Sequence, residues 1–163
     1  MPAAHFISRL RSASRQDVCL PQKRNHDPES ISARLDWKQF ESLSEQGFAS
    51  LGFQTFKNFR MKKPTMEIDL LATKQDLAFA VDCKHWKRTV GAGAMKRIGD
   101  RQILRSKRLL GLMGLNRVVP AVLTWHDELL GVLENGVPIV PIHRLTDFVM
   151  NWESTDKILV LSP

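Results

Sequence analysis

MEIDLLA (residues 66–72) and LAFAVDCK (residues 77–84) are two short apolar segments separated only by the polar residues TKQD (73–76). Two apolar runs joined by a short polar turn predict a β-hairpin. Alternate residues of a strand share one face, so Asp82 and Lys84 are expected to point the same way. By the same rule, we expect Ile68 and Leu70 to share one face and Asp69 to lie on the other.

Folding this hairpin brings two carboxylates together. With the turn at Gln75, we expect Asp69 within a residue or two of Asp82 across the ladder. The rest of the two strands is mostly apolar, and charges buried there are costly unless they are paired or bound to a metal.

Two interpretations of this cluster stay open at this point. An ion pair between Lys84 and either carboxylate is the simpler one, but it leaves the second carboxylate repelling the first. A divalent cation resolves the repulsion, because two carboxylates and a backbone carbonyl form an oxygen-rich site suited to Mg²⁺. Lys84 would then position or activate a water molecule. We favour the metal site, since buried like charges often mark a functional site.

A helix is predicted before the hairpin, from about Trp37 to Gln46. Asp36 is a suitable N-cap and Gly47 a suitable stop. Three residues recur at helical spacing and are expected to face the core: Trp37, Phe40 and Leu43. Glu41 borders this apolar face.

The other predicted elements complete the order α-β-β-β-α-β-β-α, which indicates a mixed sheet flanked by helices. A strand is expected over Phe53–Arg60, a helix over Ala94–Met113 and a strand over Val118–Trp125. Val137–Ile142 has prolines at its ends and is predicted to be an edge strand. The chain is then expected to close with a helix over His143–Trp152 and a short strand over Ile158–Leu161.

Positive charge is concentrated in one part of the chain. The net charge is +7, yet residues 84–117 alone carry ten basic residues against the single acid Asp100. Four arginines of the second predicted helix form one stripe: Arg97, Arg101, Arg105 and Arg108. A solvated helix face is the plain interpretation. Because the stripe lies next to a candidate metal site, contact with DNA phosphates is the better interpretation. A neighbouring apolar face of the same helix is formed by Met95, Ile98, Leu109 and Met113.

Composition excludes several classes of protein. Apolar residues make up 43% of the chain, enough for a real core. The sequence has only two cysteines, Cys19 and Cys83, which excludes a fold stabilised by several disulfides. No apolar run is long enough to cross a bilayer, so no membrane association is expected.

Residues 1–30 differ from the rest of the chain. They are rich in arginine and serine and contain no acid before Asp17. We predict a basic, flexible N-terminal arm over residues 1–30 and one domain over residues 31–163. An organellar targeting peptide is the alternative for the arm.

The hairpin, with the run Lys84-His85-Trp86-Lys87 that follows it, closely resembles the PD-(D/E)XK nuclease superfamily. Within it, the sequence is most similar to the Mrr-like, restriction-endonuclease-type branch, which also includes relatives of Holliday junction resolvases. The resemblance extends over about Trp37–Met150. It implies an α/β, restriction-endonuclease-like fold with a mixed central sheet flanked by helices.

The resemblance also implies roles for individual residues. Asp69 and Asp82 would ligate Mg²⁺, with Mn²⁺ able to substitute, and the backbone carbonyl of Cys83 would add another oxygen. Lys84 would orient the attacking water. Glu41 would hold a metal-bound water or the lysine. Two departures from the family pattern are Asp82, which is commonly Glu or Gln, and Ile68, which stands where the family name has proline.

The implied activity is metal-dependent hydrolysis of DNA phosphodiesters by an intracellular endonuclease, either cytoplasmic or associated with the nucleoid. A homodimer is compatible with this activity, because cutting two strands usually needs two sites. The alternatives are a non-catalytic DNA-binding module on the same fold and a nuclease for structured RNA. The residues expected to contact DNA are Lys87, Arg88, Arg97, Arg101, Arg105 and Arg108.

Overall fold

The computed structural model describes residues 37–84, 90–125 and 130–163, which all belong to one compact unit, Ser32–Pro163. The predicted arm, the Asp36 cap, Lys87 and Arg88 lie outside the described residues. The helices are α1 (Trp37–Ser50), α2 (Ala92–Met113) and α3 (Leu145–Asn151). The strands are β1 (Gln54–Met61), β2 (Met66–Lys74), β3 (Leu77–Lys84), β4 (Arg117–Thr124), β5 (Gly131–Val132) and β6 (Pro138–Pro141).

The strands form one six-stranded sheet in the order β1-β2-β3-β4-β6-β5. Strands β1, β2 and β3 are antiparallel neighbours, whereas β3 pairs with β4, and β4 with β6, in parallel. Helix α2 is the crossover between β3 and β4. The prediction of a mixed sheet flanked by helices is confirmed.

Apolar side chains cover both faces of this sheet. On one face, the aromatic residues Phe40, Phe48, Phe79 and Trp152 pack with Leu145 between the sheet and helices α1 and α3. On the other face, α2 contributes Leu109 to one cluster and Met95 to a second. Because β3 lies between β2 and β4 and is covered on both faces, a charged residue in it has little access to water.

The hairpin is confirmed, with a tighter turn than predicted. Thr73 pairs with Ala78 and Lys74 with Leu77, so the strands continue to a two-residue turn at Gln75 and Asp76. Gln75 has a φ of 56°, the left-handed conformation that such short turns require.

The end of α1 corrects the prediction that Gly47 stops the helix. The helix continues to Ser50 and is followed by a turn in which Gly52 has a φ of 82°. A Cβ on Gly47 would lie 2.6 Å from Cδ2 of Leu145, so this glycine allows α3 to approach α1. Trp37 and Leu43, expected in the core, are 38% and 41% exposed, because α1 turns only its Phe40–Phe48 side to the sheet.

Three predictions about the second half of the chain also need correction. Strand β6 is not at the edge, because β5 pairs with its outer side. The last predicted strand is reduced to one bridge between Val118 and Leu161. Met113, expected on the apolar face of α2, is 42% exposed, since the helix ends there at Gly114.

The closing helix is shorter than predicted and is flanked by 3-10 turns at Ile142–Arg144 and Trp152–Ser154. None of the helices in the described ranges is both long enough and apolar enough to span a membrane.

Candidate metal and nucleic-acid site

Strands β2 and β3 separate at Asp69. Their ladder runs as far as the pair Leu70–Val81. Beyond this pair, Oδ2 of Asp69 accepts a hydrogen bond of 2.9 Å from the backbone N–H of Cys83. A side chain thus replaces the backbone partner of Cys83 at the point where the strands diverge.

A distortion of β2 accompanies this separation and corrects one prediction. Ile68 packs with the cluster under α2, whereas Leu70 packs with the cluster under α1 and α3, so the two do not share a face. In the neighbouring strand, Asn58 lies unpaired between the pairs Lys57–Leu70 and Phe59–Ile68 and has a φ of 51°. The distortion of β1 and β2 at this level explains why strict alternation fails.

Asp82 lies close by on the α2 side of β3 and is only 3% exposed. Each of its carboxylate oxygens has a cationic partner. Nζ of Lys84 is 2.9 Å from Oδ2, and Nη1 of Arg105 is 2.8 Å from Oδ1. The structure therefore brings Asp69, Asp82 and Lys84 together as expected and adds Arg105 to the cluster.

Gln102 supports this arrangement from α2. It is fully buried, and its Nε2 donates a hydrogen bond of 2.6 Å to the carbonyl oxygen of Ala80. Its Oε1 accepts a hydrogen bond of 3.3 Å from Nη1 of Arg105. A signal for this role exists in the sequence, because Gln102 and Ser106 are polar residues within the buried stripe of an amphipathic helix.

The electrostatics of Asp69 reflect its surroundings. Burial raises the pKa of Asp69, and the negative charge of Asp82 raises it further. The hydrogen bond from Cys83 and the charges of Lys84 and Arg105 act in the opposite direction but do not cancel the increase. The two carboxylates therefore repel each other.

Glu41 is buried at 9% exposure, on the α1 side of the sheet. Burial raises the pKa of the Cys83 thiol, and the charges of Asp69 and Glu41 contribute to the increase. Across the described ranges, no three Asp, Glu, His or Cys residues form a ready metal cluster. Glu41 is thus near the site without joining Asp69 and Asp82 in such a cluster.

The residues present nevertheless fit a divalent cation. Asp69 and Asp82 are two mutually repelling carboxylates in a largely desolvated setting, which is the donor chemistry that Mg²⁺ takes. In a strand, the N–H and C=O of one residue point to the same edge, so the carbonyl of Cys83 is directed towards Asp69.

The predicted stripe of arginines divides into two pairs. Arg97 and Arg101 are exposed. Arg105 reaches the site as described, and Nη2 of Arg108 donates a hydrogen bond of 2.8 Å to the carbonyl oxygen of Lys63. Arg108 thereby ties the β1–β2 turn to α2. Helical spacing alone did not reveal either internal contact.

Comparisons with known proteins bear on the same segment. Residues 32–103 match the catalytic-domain family model Mrr_cat, described as restriction endonuclease. No curated protein matches the chain.

Two solved structures are similar to this chain at low identity. One is the small subunit, R.BspD6I2, of the heterodimeric restriction endonuclease R.BspD6I, with 15% identity and a TM-score of 0.47, over 78% of this chain and 75% of that one. The other is a protein of unknown function, AF1548, with 20% identity and a TM-score of 0.35, over 50% of this chain and 46% of that one.

The family match includes α1 and the whole hairpin, and therefore Glu41, Asp69, Asp82 and Lys84. It confirms the resemblance first drawn from the hairpin sequence: over residues 32–103, this chain is similar to the Mrr-like restriction endonucleases of the PD-(D/E)XK superfamily.

Proposed function

We propose that this chain is a divalent-metal-dependent DNA endonuclease that hydrolyses phosphodiester bonds at the separated ends of β2 and β3. The observation that carries the proposal is the pair of repelling carboxylates, Asp69 and Asp82, beside the ammonium group of Lys84. The restriction endonuclease family match supports a nuclease. Mg²⁺ is the proposed cation, with Mn²⁺ as a substitute.

Asp69, Asp82 and the carbonyl of Cys83 would hold the cation. When bound, the cation supplies charge stabilisation at the phosphoryl oxygens and lowers the pKa of a water molecule. The side chain of Lys84 is 31% exposed, whereas that of Asp82 is 4% exposed. Lys84 can therefore contact Asp82 and still reach a water or phosphate at the surface. Glu41 would assist from the α1 side.

The exposed part of the arginine stripe supports DNA as the substrate. Arg97 and Arg101 present their charges to solvent on the helix that also carries Arg105. Lys87 and Arg88, which lie outside the described residues, are proposed to contact DNA as well. Contacts of this kind bind the phosphate backbone and do not read base sequence.

The test compares matched variants in a cleavage assay. The purified protein is incubated with plasmid DNA, branched DNA and structured RNA, each with Mg²⁺, Mn²⁺ or EDTA. We expect DNA cleavage with either cation and none in EDTA. The cleavage rate of Lys84→Ala and of Asp82→Asn should fall at least about a hundredfold, as expected when a group acting in the transition state is removed. Lys157→Ala, which removes an exposed lysine elsewhere, is the control.

Each alternative has a distinct result. DNA binding without cleavage under either cation would favour the non-catalytic module. Cleavage of RNA but not DNA would favour the RNA nuclease. Cleavage by Lys84→Ala at the rate of the parent would show that the site is elsewhere. If the protein cuts both strands as a homodimer, double-strand breaks should increase with protein concentration relative to nicks.

A further inference from the structure

Arg105 makes a contact that a phosphate-binding surface residue would not need. Its Nη1 lies 2.8 Å from Oδ1 of Asp82, and the side chain is 27% exposed. Oδ2 of the same carboxylate is bound by Lys84. Two cationic groups of the protein therefore occupy both oxygens of a carboxylate proposed to bind metal.

A buried residue of the same helix orients Arg105. Gln102 lies one turn earlier on the same helix and accepts a second hydrogen bond from the same Nη1 atom. The amide nitrogen of Gln102 is itself bound to the carbonyl oxygen of Ala80, in the strand that carries Asp82. A buried amide thus orients the guanidinium towards the carboxylate.

We propose that Arg105 is an internal counter-ion that competes with the divalent cation for Oδ1 of Asp82 and is released to a DNA phosphate. The inference rests on the proposed function and adds to it a coupling between the two ligands. A phosphate is an alternative bidentate acceptor for a guanidinium, so DNA would draw Arg105 away from Asp82. DNA would then strengthen cation binding, and the cation would strengthen DNA binding by the same factor.

Arg105 is better suited to leave than Lys84. Lys84 is two residues from Asp82 in the same strand and on the same face, so it stays beside the carboxylate. Arg105 has a long side chain from a separate helix. Arg101, one turn earlier on that helix, is exposed on the same stripe, where a phosphate would be bound.

The test measures cation binding without DNA, so that it does not depend on activity. Mn²⁺ affinity is measured by isothermal titration calorimetry for the parent, Arg105→Gln and Arg101→Gln. Both variants lose one positive charge from the same helix face, but only Arg105→Gln frees Oδ1 of Asp82. We expect Arg105→Gln to bind Mn²⁺ about tenfold or more tightly, as loss of a competing charge-assisted hydrogen bond implies. Arg101→Gln should stay within about twofold of the parent.

A second measurement follows the parent itself, in case Arg105→Gln does not fold. The NMR signals of the Arg105 guanidinium, assigned with Arg105→Lys, report the ion pair with Asp82. We expect saturating Mg²⁺ to shift these signals, and a DNA duplex in EDTA to shift them as well. Signals unchanged by Mg²⁺ would overturn the competition, and so would equal Mn²⁺ affinity in the parent and Arg105→Gln.

Failure of the inference is distinguishable from failure of the proposed function. A parent that cleaves DNA and binds Mn²⁺ no more weakly than Arg105→Gln leaves the nuclease proposal intact and removes only the counter-ion role. Absence of Mn²⁺ binding in both proteins, together with absence of cleavage, overturns both.

Discussion

The backbone N–H of Cys83 donates a hydrogen bond to Oδ2 of Asp69, 2.9 Å away, where β2 and β3 cease to pair. This contact does not require a negative charge, since an amide oxygen can also accept it. The charge of Asp69 is instead a cost to the fold, because the carboxylate is desolvated and faces Asp82.

Asp69→Asn should therefore leave the protein as stable as the parent or more stable at neutral pH, by up to about 1 kcal/mol. An Asn oxygen keeps the hydrogen bond to Cys83 while the repulsion from Asp82 disappears. Urea unfolding at neutral pH measures the difference. Cleavage should be lost in the same variant, so a destabilised but active Asp69→Asn would contradict the proposed site.

The stability of the parent should depend on pH through Asp69. Its folded pKa lies above the ordinary 3.8, so the folded state binds more protons than the unfolded state between these two values. The resulting stabilisation is complete below the ordinary pKa and is lost as the pH rises through the raised one. The difference in unfolding free energy between Asp69→Asn and the parent should accordingly increase over that interval. A constant difference would show that Asp69 does not titrate as described.

Asp82→Asn should have the opposite effect on stability. The substitution leaves the guanidinium of Arg105 and the ammonium of Lys84 without their buried partner, at a cost of about 3 kcal/mol. Urea unfolding of this variant beside Asp69→Asn gives the comparison. Equal stability of the two variants would mean that the ion pairs of Asp82 with Lys84 and Arg105 do not stabilise the fold.

Gln102→Met should destabilise the protein by about 1–3 kcal/mol, because the change removes the hydrogen bonds to Ala80 and Arg105 while preserving side-chain volume. Gln46→Met, at an exposed position of α1, is the matched control and should change stability by less than about 0.5 kcal/mol. Thermal unfolding of both variants measures the effect. Similar losses of stability in Gln102→Met and Gln46→Met would show that the hydrogen bonds of Gln102 do not stabilise the fold.

Gly47→Ala and Gly111→Ala should shift stability in opposite directions. A Cβ at Gly47 would lie 2.6 Å from Cδ2 of the buried Leu145, so overpacking should outweigh the gain in helix propensity, for a net cost of about 1 kcal/mol. A Cβ at Gly111 meets nothing within 4 Å, and alanine there should stabilise α2 by about 0.5–1 kcal/mol. Chemical unfolding of the two variants measures both changes in stability. Equal changes would contradict the close approach of α3 to α1.

DNA binding should show the contribution of Arg101 as a salt effect. Arg101→Ala should reduce the slope of log affinity against log salt by about 0.9, the value for one phosphate contact. Lys157→Ala removes the same charge from another surface and should leave the slope unchanged. Affinity for a DNA duplex in EDTA, measured over a salt series, gives both slopes. Equal slopes in all three proteins would place DNA elsewhere.

The sequence was sufficient to predict the hairpin and the meeting of Asp69 with Asp82, because strand pairing and turn position are local properties. It could not separate Arg105 from Arg101. Helical spacing assigns both to one stripe, but only the crossing of α2 over β3 decides which one reaches the carboxylate. The role of Gly47 was hidden for a similar reason, since a helix stop and a close helix contact both favour glycine.

The ion pair between Asp82 and Arg105 also bears on where the domain can be divided. The family match ends at residue 103, two residues before Arg105 and before β4, which pairs with the whole length of β3. A fragment cut at that boundary would retain the motif residues but would expose one side of β3 and lose the guanidinium. The smallest autonomous unit of this protein must therefore extend at least through Thr124, well past the segment that matches the family model.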